Sequence, residues 1–168
     1  MKNLLVPIDF SDVSDRLVAT AEKQATAFGA KVWLLHCISE YPALSAMGEI
    51  PVFLPSSGLA LPGRYPDEYR QLAKLTSNLR DNGIDAELLF VSGLPTEQIL
   101  SAADDHQADL IIMGSHGHGM LYEVVVGTVT EAVLHRTEHP TLVVPSVAIK
   151  EPKPAHTYLR EAPLATPY

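Results

Sequence analysis

Glycines, hydroxyls and imidazoles crowd one stretch of this chain. It runs Leu110-Ile111-Ile112-Met113-Gly114-Ser115-His116-Gly117-His118-Gly119 and continues Met120-Leu121-Tyr122-Glu123-Val124-Val125-Val126-Gly127-Thr128-Val129-Thr130. An apolar strand pattern leads into Gly114, and Gly127-Thr128 opens a helical pattern. Glycines let the backbone adopt positive φ and let a phosphate come close. Successive N–H groups in such a loop form a concave nest for an anion. A helix start near Thr128 adds unsatisfied N–H groups and the positive end of its dipole. The hydroxyls of Thr128 and Thr130 add donors. The chemistry this composition supports is phosphate binding. Glycines that serve only to turn the loop remain the alternative at this level.

Two other phosphate motifs do not fit. A Walker A loop needs Lys and Ser/Thr after its second glycine, and Met120 and Leu121 stand there. A dinucleotide fingerprint sits in the first βα turn, which here is Ile8-Asp9-Phe10-Ser11-Asp12 and holds no glycine. A metal reading of His116 and His118 lacks the further ligands that zinc requires. No Ser/His/Asp or activated-nucleophile spacing is readable, so no catalytic residue is assigned. No Lys or Arg lies in the loop to stabilise a phosphoryl transition state. Any turnover of a bound nucleotide is expected to be slow.

Outside the loop, Asp9 ends the first strand pattern as either a ligand contact or a helix cap. Asp12 and Asp15 read as first-turn acids favoured by the helix dipole. His36 reads as a hydrogen-bonded strand histidine. Cys37, the one cysteine, reads as a buried structural residue. Tyr122 and Glu123 read as the outer face of the loop.

These residues need a scaffold. Five apolar runs, Leu4–Ile8, Val32–Ile38, Ala86–Val91, Leu110–Met113 and Thr141–Val144, are nearly continuous rather than alternating. That is the pattern of strands covered on both faces. Helical spacing separates most of them. Ser11 and Ser14 offer N-cap hydroxyls, Val13, Leu17, Ala21, Ala25 and Phe28 recur on one face, and Gly29 stops the helix. Further helices are predicted over 66–82, from Thr96 after Gly93-Leu94-Pro95, and over 128–136. Strands alternating with helices imply right-handed βαβ units. The fold class is α/β, a three-layer α/β/α sandwich on a mostly parallel sheet.

Two segments fall outside this rhythm. The stretch 39–65, with an insert at about 42–65, is rich in Pro and Gly and reads as irregular. It follows the second strand, at the sheet edge where a ligand would lie, and a lid role is one reading of it. The tail 147–168 is Pro-rich and reads as an extended arm. One compact domain is thus expected over 1–146.

The chain has 168 residues and a net charge of −8, which disfavours a polyanionic partner. Nucleic acid is not expected. No apolar run approaches the ~20 residues of a membrane span. One cysteine and no signal-like N-terminus suggest a cytoplasmic protein.

The spacing Gly114, Gly117, Gly127-Thr128 matches G-x2-G-x9-G-[ST], and the sequence here resembles the ATP-binding members of the universal stress protein family. Val6-Pro7-Ile8-Asp9-Phe10-Ser11 is similar to that family's first strand and acidic residue. Leu34-Leu35-His36-Cys37-Ile38 resembles its second strand, and His139-Pro140-Thr141-Leu142-Val143-Val144-Pro145 its last. The resemblance covers residues 2–146, apart from the insert.

It implies a Rossmann-like, five-stranded sheet ordered 3-2-1-4-5, with ATP across the ends of strands one and four. Carried over, Asp9 would meet the ribose or base side, and the Cys37 backbone would read adenine. Gly114, Gly117, Gly127, Thr128 and Thr130 would hold phosphates and ribose. Pro7, Met113, Ser115, His118 and Val129 complete the expected set. A homodimer through Thr141–Val144 and an unknown regulatory protein partner are also implied. Mg²⁺ would offset the triphosphate charge, with Asp9 helping to hold it.

Where many relatives carry Lys or Arg, this chain has His118. Imidazole titrates near pH ~6.5, so tighter ATP binding at mildly acidic pH is expected. Titrations at pH 6 and pH 8, with His118→Ala alongside, test this; equal pH dependence in the two proteins rejects it. A slow ATPase or autophosphorylating enzyme, and an interaction protein without nucleotide, remain the rival readings.

Overall fold

The computed structural model describes residues 1–39, 58–59, 62–115 and 127–146. In chain order the elements are β1 (Asn3–Pro7), α1 (Ser14–Phe28), β2 (Lys31–Ile38), β3 (Gly58–Leu59), α2 (Pro66–Asp81), β4 (Ala86–Ser92), α3 (Pro95–Asp105), β5 (Leu110–Ser115), α4 (Thr128–Arg136) and β6 (Thr141–Pro145). They form one sheet in the order β3-β4-β2-β1-β5-β6. All neighbours are parallel except β3, which runs antiparallel on the outer edge of β4. Numbering only the parallel strands gives 3-2-1-4-5, as the resemblance implied.

Side chains alternate across the sheet, and both faces are covered. Leu4 and Val6 of β1, Val32 and Leu34 of β2 and Ile112 of β5 join Leu17 and Ala21 of α1 and Leu72 and Leu79 of α2. Leu5, Leu35, Ile111 and Met113 point the other way, onto Ile99 and Ala103 of α3 and Val133 of α4. Two-sided burial is why these strands are apolar throughout. Each fully buried Leu or Ile contributes roughly 1.5–3 kcal/mol.

Local chemistry sets most boundaries. Gly29 takes φ 61° and returns its N–H to the Ala25 carbonyl, closing α1 in the left-handed conformation that glycine adopts without strain. Pro95 and Pro66 each lie in a first helical turn, where a missing N–H costs nothing.

Three expectations need correction. The segment 39–65 is not wholly irregular, since Gly58–Leu59 pairs with β4; a two-residue bridge leaves no periodicity in the sequence. Ser11 and Ser14 do not cap α1. The cap position is Val13, already in helical φ/ψ, because a turn from Ser11 to Ser14 precedes the helix. Phe28 lies on no buried face and is 54% exposed, at the last residue of α1, where the helix leaves the sheet.

On the far side of the sheet, His139 joins two connections. Its Nδ1 is 2.8 Å from the Ala108 carbonyl and its Nε2 2.9 Å from the Asp104 carboxylate. Both partners only accept, so the imidazolium, with two N–H donors, fits best. The Asp104 hydrogen bond leads in raising the His139 pKa above its ordinary value. A raised folded-state pKa means that this contribution is full below the unfolded value near pH ~6.5 and is lost as pH rises through the folded one. Asp104 is largely exposed, which limits the contribution to under ~1 kcal/mol. His139→Gln should therefore cost stability at pH 6 and little at pH 9. Urea unfolding at the two pH values checks this, and a loss that is the same at both would refute it. Among the described residues no helix is long and apolar enough to cross a membrane.

Candidate functional site

The sheet opens between β1 and β5. Even-numbered backbone groups of β1 face β2: the Lys2 carbonyl accepts from Lys31, and Ile8 N–H donates to the Leu35 carbonyl at 2.7 Å. Odd-numbered groups therefore face β5, and Pro7 is one of them. Proline has no N–H to donate. The β1–β5 pairing accordingly stops at Leu5–Ile111, while β5 stays paired with β6 as far as Ser115–Pro145. This gap is where the chain reverses its strand order, the usual ligand position in open α/β sheets.

β1 leaves the sheet through a tight turn. The Asp9 carboxylate accepts from Ser11 N–H at 3.0 Å and from Ser11 Oγ at 2.6 Å, with Ser14 Oγ at 3.5 Å. The two hydroxyls expected to cap α1 are thus spent on Asp9, in an Asx-type turn. Phe10 follows at φ 59°, a strained conformation for a bulky residue. Such strain tends to gather at functional sites.

A cleft of about 220 Å³ lies in the gap. Pro7 and Asp9 line it from the end of β1, Cys37 from β2, Met113 and Gly114 from β5, and Gly127, Thr128, Val129 and Thr130 from the start of α4. The fold thus brings nine of the expected residues to one place. Leu35, His36, Pro95 and Ile99 also line it and were not expected as site residues. The signal that could have found Pro95 was its place at the start of α3, in the short connection that leaves β4.

Ser115 is different. It sits in the last register position of β5, opposite Pro145, is 2% exposed and does not line the cleft. Gly117 and His118, with His116 and the rest of 116–126, lie outside the described residues, as do most of the insert and all of the tail. Among the described residues no group of three or more His, Cys, Asp or Glu is placed to hold a metal ion.

Neither described loop glycine has positive φ, contrary to the reason first given for them. Gly114 lies inside β5, paired with Val144. A Cβ there would stand 2.6 Å from Val13 Cγ1. Its glycine is required by the packing of α1 on the strand. Gly127 is the N-cap of α4 in extended conformation, φ −62° and ψ 153°, and among the described residues no side chain caps the helix. Thr130 Oγ1 donates to the Gly114 carbonyl at 2.8 Å, tying the first turn of α4 to β5.

The Cys37 thiol lies half-buried, 3.5 Å from the Gly93 carbonyl. Burial pushes its pKa from 9.0 up to about 11. Thiolate at pH 7.5 then falls roughly 100-fold, and the greater nucleophilicity of a more basic thiolate recovers about tenfold. Cys37 should react with an aromatic disulfide reagent about tenfold more slowly than in the urea-unfolded chain. Equal rates would disprove its protection.

At Cys37 the register has a consequence for the backbone. Even-numbered groups of β2 bond β4, as Val32 N–H does to Asp85 and the Ile38 carbonyl does to Gly93. Cys37 is odd and faces β1 beyond the point where β1 has left. Among the described residues its N–H and C=O have no partner, so a hydrogen-bond donor and an acceptor stand side by side at the cleft.

A model of the universal stress protein family matches residues 1–145. The chain is 31% identical over 153 residues to universal stress protein MJ0577 of Methanocaldococcus jannaschii, across 85% of this chain and 94% of that one. The solved MJ0577 structure superposes with a TM-score of 0.66 over 86% of this chain and 95% of its own. A universal stress protein solved in complex with cAMP is 24% identical, with TM-score 0.62 over 87% and 98% of the two chains. One from Archaeoglobus fulgidus in complex with dAMP is 20% identical, with TM-score 0.59 over 85% and 97%. At those identities the last two share the fold. The sheet order, the matched length and the kinship with MJ0577 agree: this chain belongs to the universal stress protein family.

Proposed function

We propose that this chain is a cytoplasmic, ATP-binding regulatory module of the stress response, a homodimer whose nucleotide occupancy is read by a protein partner. The observation that carries the reading is the donor–acceptor pair of the Cys37 backbone. Adenine offers the complement on one edge, an acceptor at N1 and a donor at the 6-amino group. Hypoxanthine and guanine offer the reverse. Leu35, Ile99, Met113 and Val129 supply apolar walls for the base. Pro7 and Asp9 would meet the ribose, and Asp9 would help hold Mg²⁺.

The uncapped first turn of α4, with Gly114, Gly127, Thr128 and Thr130, would receive the phosphates, since free helix N-terminal N–H groups favour anions. Gly117 and His118 would complete that end, while Ser115, buried in β5, would not reach it. Two relatives of the same fold hold adenine nucleotides, cAMP and dAMP, which supports the class of ligand. The binding domain would be 1–146, with 42–65 as its insert and 147–168 as a tail outside it. Dimerisation would use β6, an edge strand with half-buried Leu142 and Val143.

The test is protein purified without added nucleotide, denatured, and its released ligand identified by chromatography and mass spectrometry. Adenine nucleotide from the native chain and none from Gly117→Val/Gly127→Val is the expected result. An empty native protein that also fails to bind Mg-ATP would overturn the reading.

A further inference from the structure

His36 explains why the Cys37 N–H is available. Ile8 N–H already donates to the Leu35 carbonyl at 2.7 Å. One more step of the parallel ladder would send Cys37 N–H to the Ile8 carbonyl, because a residue in such a ladder bonds the two flanking residues of its partner. That step is missing, and the β1–β2 pairing ends at Pro7–Leu35. In its place His36 Nδ1 lies 2.7 Å from the Ile8 carbonyl. A carbonyl only accepts, so Nδ1 carries the proton and the tautomer is fixed.

We propose that His36 is a positioning residue for base recognition: its imidazole occupies the Ile8 carbonyl and so keeps the Cys37 N–H out of the sheet and open to the ligand. The role in recognition rests on the adenine reading above; the effect on the Cys37 N–H does not. The ring cannot easily turn away. It is 9% exposed and lies between Phe10, at 4.5 Å between centroids, and Phe90, stacked at 5.8 Å, with Tyr69 edge-on to Phe90 at 5.5 Å. The left-handed turn at Phe10 lets that side chain fold back over the imidazole while β1 departs. A side chain thus replaces a ladder hydrogen bond at the one position where a base would need it.

The test compares wild type with His36→Phe, which keeps an aromatic ring between Phe10 and Phe90 but has no donor, and with His36→Asn, whose Nδ2 can take the place of Nδ1. Amide hydrogen exchange at Cys37 is read without nucleotide, and affinities are measured for Mg-ATP and Mg-ITP. In wild type the Cys37 amide should exchange quickly and become protected on adding ATP. In His36→Phe it should be protected already, ATP affinity should fall about tenfold, and the preference for ATP over ITP should shrink. His36→Asn should restore all three. A Cys37 amide that is equally open in His36→Phe, with an unchanged ATP-to-ITP ratio, would overturn the proposal. If His36→Phe does not fold, strong protection of the Cys37 amide in nucleotide-free wild type does so alone. Failure of wild type to bind any adenine nucleotide would sink the adenine reading, and with it the recognition role, while exchange at Cys37 still decides what His36 does to the ladder.

Discussion

Gly114→Ala lowers the thermal midpoint by several degrees, and Val13→Ala in the same chain recovers part of the loss. The added Cβ would sit 2.6 Å from Val13 Cγ1, closer than side-chain carbons approach, with Leu17 Cδ1 another 3.6 Å away. Val13 and Leu17 are 1% and 2% exposed, so neither has room to retreat. Overpacking of this kind costs about 1–3 kcal/mol. For a chain of this size that is roughly 3–9 °C. Shortening Val13 removes the clashing methyl, so the double mutant should lose less than the two single losses added together. Additive losses would mean that the strand and helix do not meet there. Unchanged stability with lost ATP binding would return Gly114 to the role first read from the sequence, that of letting a phosphate approach.

The two roles of Gly114 mark what the sequence could and could not tell. The strands were legible because burial on both faces leaves Leu4–Ile8 and Val32–Ile38 unbroken apolar runs. The helices were legible from spacing and from stops such as Gly29. The strand order came through the glycine spacing and its family resemblance rather than from periodicity. What stayed hidden depends on which strand lies next door. Pro7 was carried over as a ligand contact, yet its missing N–H is also what ends the β1–β5 pairing and opens the cleft. His36 looked like an ordinary strand histidine, because nothing local says that the Ile8 carbonyl has lost its ladder partner. Ser11 and Ser14 looked like helix caps, because a preceding turn and the competing Asp9 carboxylate leave no trace in hydroxyl spacing.

Thr130→Val should weaken both the fold and the nucleotide site, and Thr130→Ser should restore both. Thr130 is 4% exposed and its Oγ1 donates to the Gly114 carbonyl at 2.8 Å. Valine keeps the shape and removes the donor. Such a loss costs about 0.5–1.5 kcal/mol, and up to ~3 kcal/mol where the carbonyl finds no substitute. The midpoint should fall by roughly 2–6 °C. Among the described residues no side chain caps α4, so this bond to β5 is what aims the N–H groups of its first turn at the cleft. A turn of helix released from β5 presents those groups less well, and ATP affinity should drop about tenfold, the equivalent of one modest hydrogen bond.

Calorimetric unfolding and ATP titration of the same preparations separate two ways in which the hydroxyl could act. The resemblance carried Thr130 over as a direct contact to phosphate or ribose. The structure gives its proton to Gly114, so a nucleotide could only donate to its oxygen, which an ionised phosphate cannot do. Stability and affinity falling together in the valine variant, with both rescued by serine, would make Thr130 a residue that acts by holding α4 in place. Affinity lost at full stability would mean that the hydroxyl leaves Gly114 for the nucleotide once it binds, and the resting hydrogen bond would then be a latch that the ligand opens.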